Sequence, residues 1–318
     1  DGAQRPKQSR RWLRDHHAGQ GPLALTDIRK VGVVGCGLMG SGIAQSAAAA
    51  GFDTVVRDVS QELLDRGRAG ILKSLGRLVE RGKLAGEARN ETLSRIRFVT
   101  DPAELQDRDI VIEAVTEELE LKNRLWEELD RLCPAPVIFA SNTSSLTIAA
   151  MARTTSRPDR FVGLHFFNPV PLMPLVEVVR APTTSLKTFD TAYAFAEALG
   201  KEPVATTDTP GFIVNLLLVP YLLDAVRALE RGTASTADID RAMQLGCGHP
   251  KGPLLLLDFI GLDTVVRIAD IMHEAYGEQR YEAPPLLRRM VTDGHHGRKS
   301  GRGFYDYALD PPMPVDMN

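Results

Sequence analysis

The sequence predicts an α/β fold, a doubly wound and mostly parallel sheet with a helical arm, followed by an all-α C-terminal domain. Three observations lead there. From Lys30 onward, short β-branched runs alternate with longer helical patterns, the signature of a parallel sheet covered on both faces. Several of these runs are continuously apolar, as strands buried on both sides require. Beyond Pro210 the strand signal stops and only helical periodicity remains.

Strands are expected at Val31–Val34, Thr54–Arg57, Ile110–Val115, Val137–Ala140, Phe161–His165 and Leu175–Val179, with a further one near Val204. An Ala-rich helix is expected from Met39 to Ala50. Between the second strand and Asp109, Leu63, Leu64, Ile71, Leu72, Leu75, Leu78 and Val79 recur at helical spacing among basic residues, so the segment from Ser60 to about Arg95 is read as a helical arm projecting from the sheet. Helices are expected at Phe212–Glu230, Ala237–Leu245, Pro253–Glu274 and Pro284–Thr292. Ser235 with Asp238 forms a capping-box pattern for the second of these, and Gly246 is its expected stop. The domains are therefore a tail at 1–25, an α/β domain at 26–207 and a helical domain at 208–318, with a cleft expected between the last two.

Composition narrows the class. The 318 residues, 43% hydrophobic and 25% charged, suit a globule with one large and one smaller domain. A formal net charge of −3 gives no reason to expect nucleic acid or an anionic membrane as partner. The apolar stretches, such as Phe212 to Tyr221, fall short of the about 20 residues that span a bilayer. Cys36, Cys133 and Cys247 are far apart and form no CxxC pair, which suggests neither disulfides nor a metal site and fits a reducing, cytoplasmic setting. Asp1 to Gly21, rich in Arg, Gln and His without an apolar signal core, reads as a flexible or added tail.

Gly35, Gly37 and Gly40 form G-x-G-x-x-G, with Leu38 and Met39 between, directly after a strand and at the start of a helix. The first glycine permits the tight turn, the second admits a pyrophosphate to the backbone, and the third lets helix and strand pack closely. Asp58 ends the next strand, where its carboxylate can accept from both ribose hydroxyls of NAD and would repel the 2′-phosphate of NADP. The expected domain is thus of Rossmann type and the expected cofactor NAD.

Three further segments stand out: Ser141 to Leu146 (SNTSSL), Leu164 to Val170 (LHFFNPV) and Asp208 to Asn215 (DTPGFIVN). The first two follow strands, where ligands bind in doubly wound sheets. Histidine changes charge near neutrality and serves as a general base. Glu177, set between Val176 and Val178, is an odd choice unless it has a partner, because buried acids need one.

With Gly35 to Gly40, Leu175 to Val179 and Gly301 to Tyr305, these segments closely resemble the L-3-hydroxyacyl-CoA dehydrogenase family, including its 3-hydroxybutyryl-CoA members. The likeness extends from Lys30 to Tyr307. It implies NAD-dependent oxidation of a (S)-3-hydroxyacyl-CoA thioester to the 3-ketoacyl compound, with His165 removing the hydroxyl proton and Glu177 orienting its ring. It also implies Ser144 and Asn215 as polar substrate contacts. Glu117, Lys122, Asn168 and Lys299 would lie around the nicotinamide half of the cofactor, and Ser74 and Arg81 on the arm would touch CoA. Leu216, Pro174 and Arg81 depart from the Arg, Lys and Lys familiar at those places. A homodimer is expected, because Leu216 to Leu223 and Leu254 to Leu257 carry more apolar surface than so small a domain readily buries.

Other functions fit these residues less well. The β-hydroxyacid dehydrogenases share the opening turn and a helical second domain, but Asp58, His165 and Glu177 argue against them. Relatives acting on free hydroxy acids or carrier-protein thioesters fit less well, since a basic arm favours a phosphate-bearing substrate. A non-enzymatic NAD-binding protein would have no use for His165, Glu177, Ser144 and Asn215 together.

Overall fold

A computed structural model describes residues 27–315; the tail expected at 1–25 lies outside them. The chain divides after Thr209 into two compact units. The first holds an eight-stranded sheet in the order β3-β2-β1-β4-β5-β6-β7-β8. Its strands are β1 (Lys30–Val34), β2 (Asp53–Arg57), β3 (Ile96–Val99), β4 (Ile110–Glu113), β5 (Ile138–Ser141), β6 (Phe161–Phe166), β7 (Leu175–Arg180) and β8 (Glu202–Thr207). Every neighbouring pair is parallel except β6 with β7. Strand order reverses between β1 and β4, and the carboxyl ends on either side of such a reversal border the crevice in which this architecture binds ligands.

The apolar runs became strands because both their faces are covered: Val31, Val33, Ile110, Ile112, Val162 and Leu164 pack into a buried cluster on one face, and Val34, Val55, Val111, Phe139, Phe161 and Val179, which point the other way, are buried as well. Helix α1 (Leu38–Ala49) lays small residues, Gly40, Ala44, Ala47 and Ala48, against that sheet. The arm is two helices, α2 (Gln61–Glu80) and α3 (Gly86–Ser94). Ser60 caps α2 by accepting from the Leu63 N–H. The arm does not stand clear of the sheet along its whole length, since Leu64, Gly67, Ile71 and Leu75 form a buried stripe, and its leucines and isoleucine join the sheet's own core. Strand β3, which was not expected from the sequence, follows the arm as a four-residue edge strand in which Ile96 alone is buried.

The second unit is helical: α7 (Val214–Glu230), α8 (Thr236–Cys247), α9 (Pro253–Ile260), α10 (Leu262–Tyr276) and α11 (Pro285–Thr292), preceded in the first unit by α4 (Leu119–Leu132), α5 (Ile148–Ala152) and α6 (Leu186–Ala198). Three sequence expectations need correction here. The stretch Pro253–Glu274 is two helices, because Gly261 takes φ 102° between them. Helix α8 runs through Gly246 and stops at Gly248, the residue that takes the left-handed conformation (φ 69°). Leu222, Leu223, Leu254 and Leu257 are spent on the unit's own core with Val226, Val265 and Phe304, so of the runs proposed for dimerisation it is Leu217, 64% exposed, that faces outward. No helix among the described residues is long and apolar enough to cross a membrane.

Candidate active site

The dinucleotide turn begins where β1 ends. Gly35 takes φ 96°, a region open to glycine at no steric cost, and its N–H donates to the Arg57 carbonyl at 2.9 Å. A side chain on Gly40 would collide with the Gly35 carbonyl oxygen, whereas one on Gly37 would meet nothing within 4 Å. The turn is therefore closed by Gly40 and left bare at Gly37, which is what a pyrophosphate needs in order to reach the backbone. Asp58 stands beside it: one carboxylate oxygen accepts from the Cys36 N–H at 2.6 Å and the other from Val59 N–H at 2.7 Å. Each oxygen keeps acceptor capacity for a ribose hydroxyl. These residues fit a dinucleotide. Leu38 is exposed at the turn and Met39 half-buried. Burial, reinforced by Asp58, pushes the Cys36 thiol up to about 12, so it stays protonated and inert.

The antiparallel pairing of β6 and β7 builds the next part. Its register sets His165 opposite Glu177, and residues so paired point to the same face with their Cβ atoms about 5 Å apart. Both side chains are buried, and His165 Nδ1 lies 2.6 Å from Glu177 Oε2. The other ring nitrogen, Nε2, lies 3.1 Å from Ser144 Oγ. Phe167 packs against the imidazole with ring centroids 4.5 Å apart. Three expected site residues from three segments thus converge.

Ser144 sits in the loop after β5, and that loop is held by carboxylates. Glu117 Oε1 accepts from the Thr143 hydroxyl, from the Ser144 and Ser145 N–H groups at 2.9 and 3.1 Å, and from the Ser145 hydroxyl at 3.1 Å. Glu117 Oε2 is 3.1 Å from Lys122 Nζ, which is 2.5 Å from Glu113 Oε1. Burial acts to raise the Glu117 pKa, but the Lys122 charge and the bonds from Thr143 and Ser144 outweigh it and hold the carboxyl below its ordinary range. Burial likewise opposes the charge on Lys122, and Glu113 with Glu117 overcomes it, so the ammonium is held above its ordinary range. Lys122 is 1% exposed.

The remaining expected residues are spread more widely. Asn168 is exposed in the turn between β6 and β7, Ser74 is half-buried on α2, and Arg81 is exposed immediately after it. In the second unit Asn215 lies in the first turn of α7, and Lys299 pairs with Asp263 at 2.6 Å. Three residues to which the sequence motifs assign no individual role also hold these segments in place. Asn142 Oδ1 accepts from the Phe166 N–H at 2.9 Å, joining the two loops. Asp208 accepts from the Ile148 and Ala149 N–H groups, both at 2.7 Å. Glu113 ends an apolar strand in the interior. The reasoning applied to Glu177, that an acid among buried apolar residues needs a partner, would have found Glu113 as well.

Comparison with known proteins matches residues 30–209 to the NAD binding domain of 3-hydroxyacyl-CoA dehydrogenase and residues 211–307 to its C-terminal domain. A probable 3-hydroxybutyryl-CoA dehydrogenase of Deinococcus radiodurans is 49% identical over 87% of this chain and 100% of its own. The mitochondrial hydroxyacyl-coenzyme A dehydrogenase of Homo sapiens is also 49% identical, over 88% of this chain and 91% of its own. The crystal structure of (S)-3-hydroxybutyryl-CoA dehydrogenase PaaH1 from Ralstonia eutropha superposes with a TM-score of 0.85 at 43% identity, covering 89% of this chain and 100% of that one. With matched domains in the same order, and near half of all residues shared across the length of both partners, the chain belongs to the 3-hydroxyacyl-CoA dehydrogenase family of NAD-dependent oxidoreductases.

Proposed function

We propose that this chain oxidises the 3-hydroxyl of a (S)-3-hydroxyacyl thioester of coenzyme A, of the 3-hydroxybutyryl kind, with His165 as general base. The observation that carries the reading is the line from Glu177 through His165 to Ser144, with contacts of 2.6 and 3.1 Å. When Nδ1 donates its hydrogen to the carboxylate, the lone pair is left on Nε2, the nitrogen that faces Ser144. Nε2 then takes the hydroxyl proton, and Glu177 stabilises the imidazolium that results. NAD, when bound, supplies the hydride acceptor. Ser144 and Asn215 hold the substrate oxygens by hydrogen bonds without adding a competing charge. Glu117, Asn168 and Lys299 serve the nicotinamide side, with Lys122 acting through Glu117 because its ammonium is enclosed. Ser74 and Arg81 meet the CoA phosphates, an ordinary task for a guanidinium. The buried, unpaired thiols of Cys36 and Cys133 suit a reducing cytoplasm, and the chain pairs with a second copy through its helical unit.

His165→Gln tests the assignment. It is expected to lower kcat by roughly 10²–10⁴-fold while the Kd for NADH, read by nucleotide fluorescence, stays within about twofold. Turnover near that of the unaltered enzyme would refute the role of His165.

A further inference from the structure

Glu113 has no part in the reading above, yet it is among the most completely buried charged groups in the first unit, with 0% exposure at the carboxyl end of β4. Its two side-chain partners, Ser141 and Lys122, both lead toward the Ser144 loop. Its Oε2 accepts from the Ser141 hydroxyl at 2.6 Å, at the last residue of β5. Its Oε1 accepts from the Val115 N–H at 2.8 Å and from the Lys122 ammonium at 2.5 Å. Lys122 in turn reaches Glu117, whose single oxygen Oε1 gathers donors from residues 143, 144 and 145. The Ser141 oxygen also accepts from the Thr143 N–H at 3.2 Å, and the Thr143 oxygen from the Leu146 N–H at 3.0 Å. Beyond the loop, Asp208 takes the Ile148 and Ala149 N–H groups.

The loop is thus fixed at its start by Glu113, in its middle by Glu117 and at its exit by Asp208, and Glu113 and Glu117 share one lysine. An interior ammonium flanked by two carboxylates is intolerant of rearrangement, because moving any member strands a buried charge. That intolerance suits a role in setting geometry. A merely stabilising core would be met as well or better by apolar side chains. Ser144 offers only one hydroxyl to a neighbour 3.1 Å away, and hydrogen bonds weaken steeply with small errors of distance and angle.

We propose that Glu113 is a positioning residue, which through Ser141, Lys122 and Glu117 holds the 142–147 loop so that the Ser144 hydroxyl stands before His165. The proposal rests on the reading of Ser144 as a substrate contact opposite the general base. Glu113 touches neither substrate nor cofactor; it acts only through the loop.

A double-mutant cycle tests this. Glu113→Gln, which keeps the shape of the side chain, is expected to lower kcat by about tenfold while the Kd for NADH stays within about twofold. In a Ser144→Ala background the same change is expected to cost kcat less than about twofold, since the group it positions is gone. Ser141→Ala removes one hydroxyl and leaves the ion pairs intact; it is expected to follow the same non-additive pattern, and it carries the test should Glu113→Gln fail to fold. A full tenfold loss in both backgrounds, or a Ser141→Ala enzyme with unchanged kcat, would overturn the positioning role while Ser144→Ala still impairs turnover. If Ser144→Ala alone leaves kcat intact, the reading of Ser144 has failed, and the role given to Glu113 falls with it.

Discussion

Single carboxylates do distinct work in this chain according to what surrounds them. Asp58 is held by two backbone N–H groups at the mouth of the glycine turn, and its charge faces the place where the cofactor's ribose is expected. Asp58→Ala should therefore lower the preference for NAD over NADP, as a ratio of kcat/KM values, by roughly tenfold to a hundredfold, the worth of one charged hydrogen bond. An unchanged ratio in steady-state kinetics would count against its ribose contact. Glu117 differs in being paired with a cation and loaded with donors. Its folded pKa lies below the ordinary value, so its contribution to stability is present above about pH 4.3 and is lost as pH falls through the lower folded value. Lys122, shifted the other way, contributes below about pH 10.4 and ceases to as pH rises through its folded value. Between those limits Glu117→Gln should destabilise the protein by roughly 1–3 kcal/mol, and in denaturant titrations the gap should close in acid. A gap that persists unchanged to pH 3 would show that the pair adds nothing through its charge.

At the level of helices and strands, legibility followed the length and regularity of the pattern. The sheet's central strands announce themselves because Val31 to Val34, Ile110 to Ile112 and Val137 to Ala140 carry no polar residue, and only coverage on both faces accounts for that. Strand β3 was hidden because an edge strand needs little apolar surface: its residues read Ile-Arg-Phe-Val, and most stay partly open to solvent. The join between α9 and α10 was hidden for the opposite reason, since apolar spacing runs on through Gly261 and only the backbone angle there reveals the break. His165 and Glu177 could each be singled out as residues, but their pairing depends on β7 running against its neighbour, which no local pattern encodes. Glu113 is hard to single out because its cation lies nine positions on, on a helix whose other charged residues stay exposed or half-exposed.

For the molecule as a whole, two compact units raise the question of what each contributes alone. The apolar runs of the helical unit mostly fill its own interior, leaving Leu217 as the outward-facing leucine of that stretch. If that leucine belongs to the proposed self-association, Leu217→Glu should halve the mass seen by light scattering at micromolar concentration, because a charge buried without a partner opposes pairing; an unchanged mass would remove Leu217 from the interface. The reversal of β7 and β8 against the other six strands has a broader effect. A hairpin of this kind is defined by rungs rather than by its bend, so residues could be added to or removed from the tip at 167–174 while imidazole and carboxylate remained face to face on their rung. The alignment of the two side chains is thereby insulated from changes of length in the loop beside them.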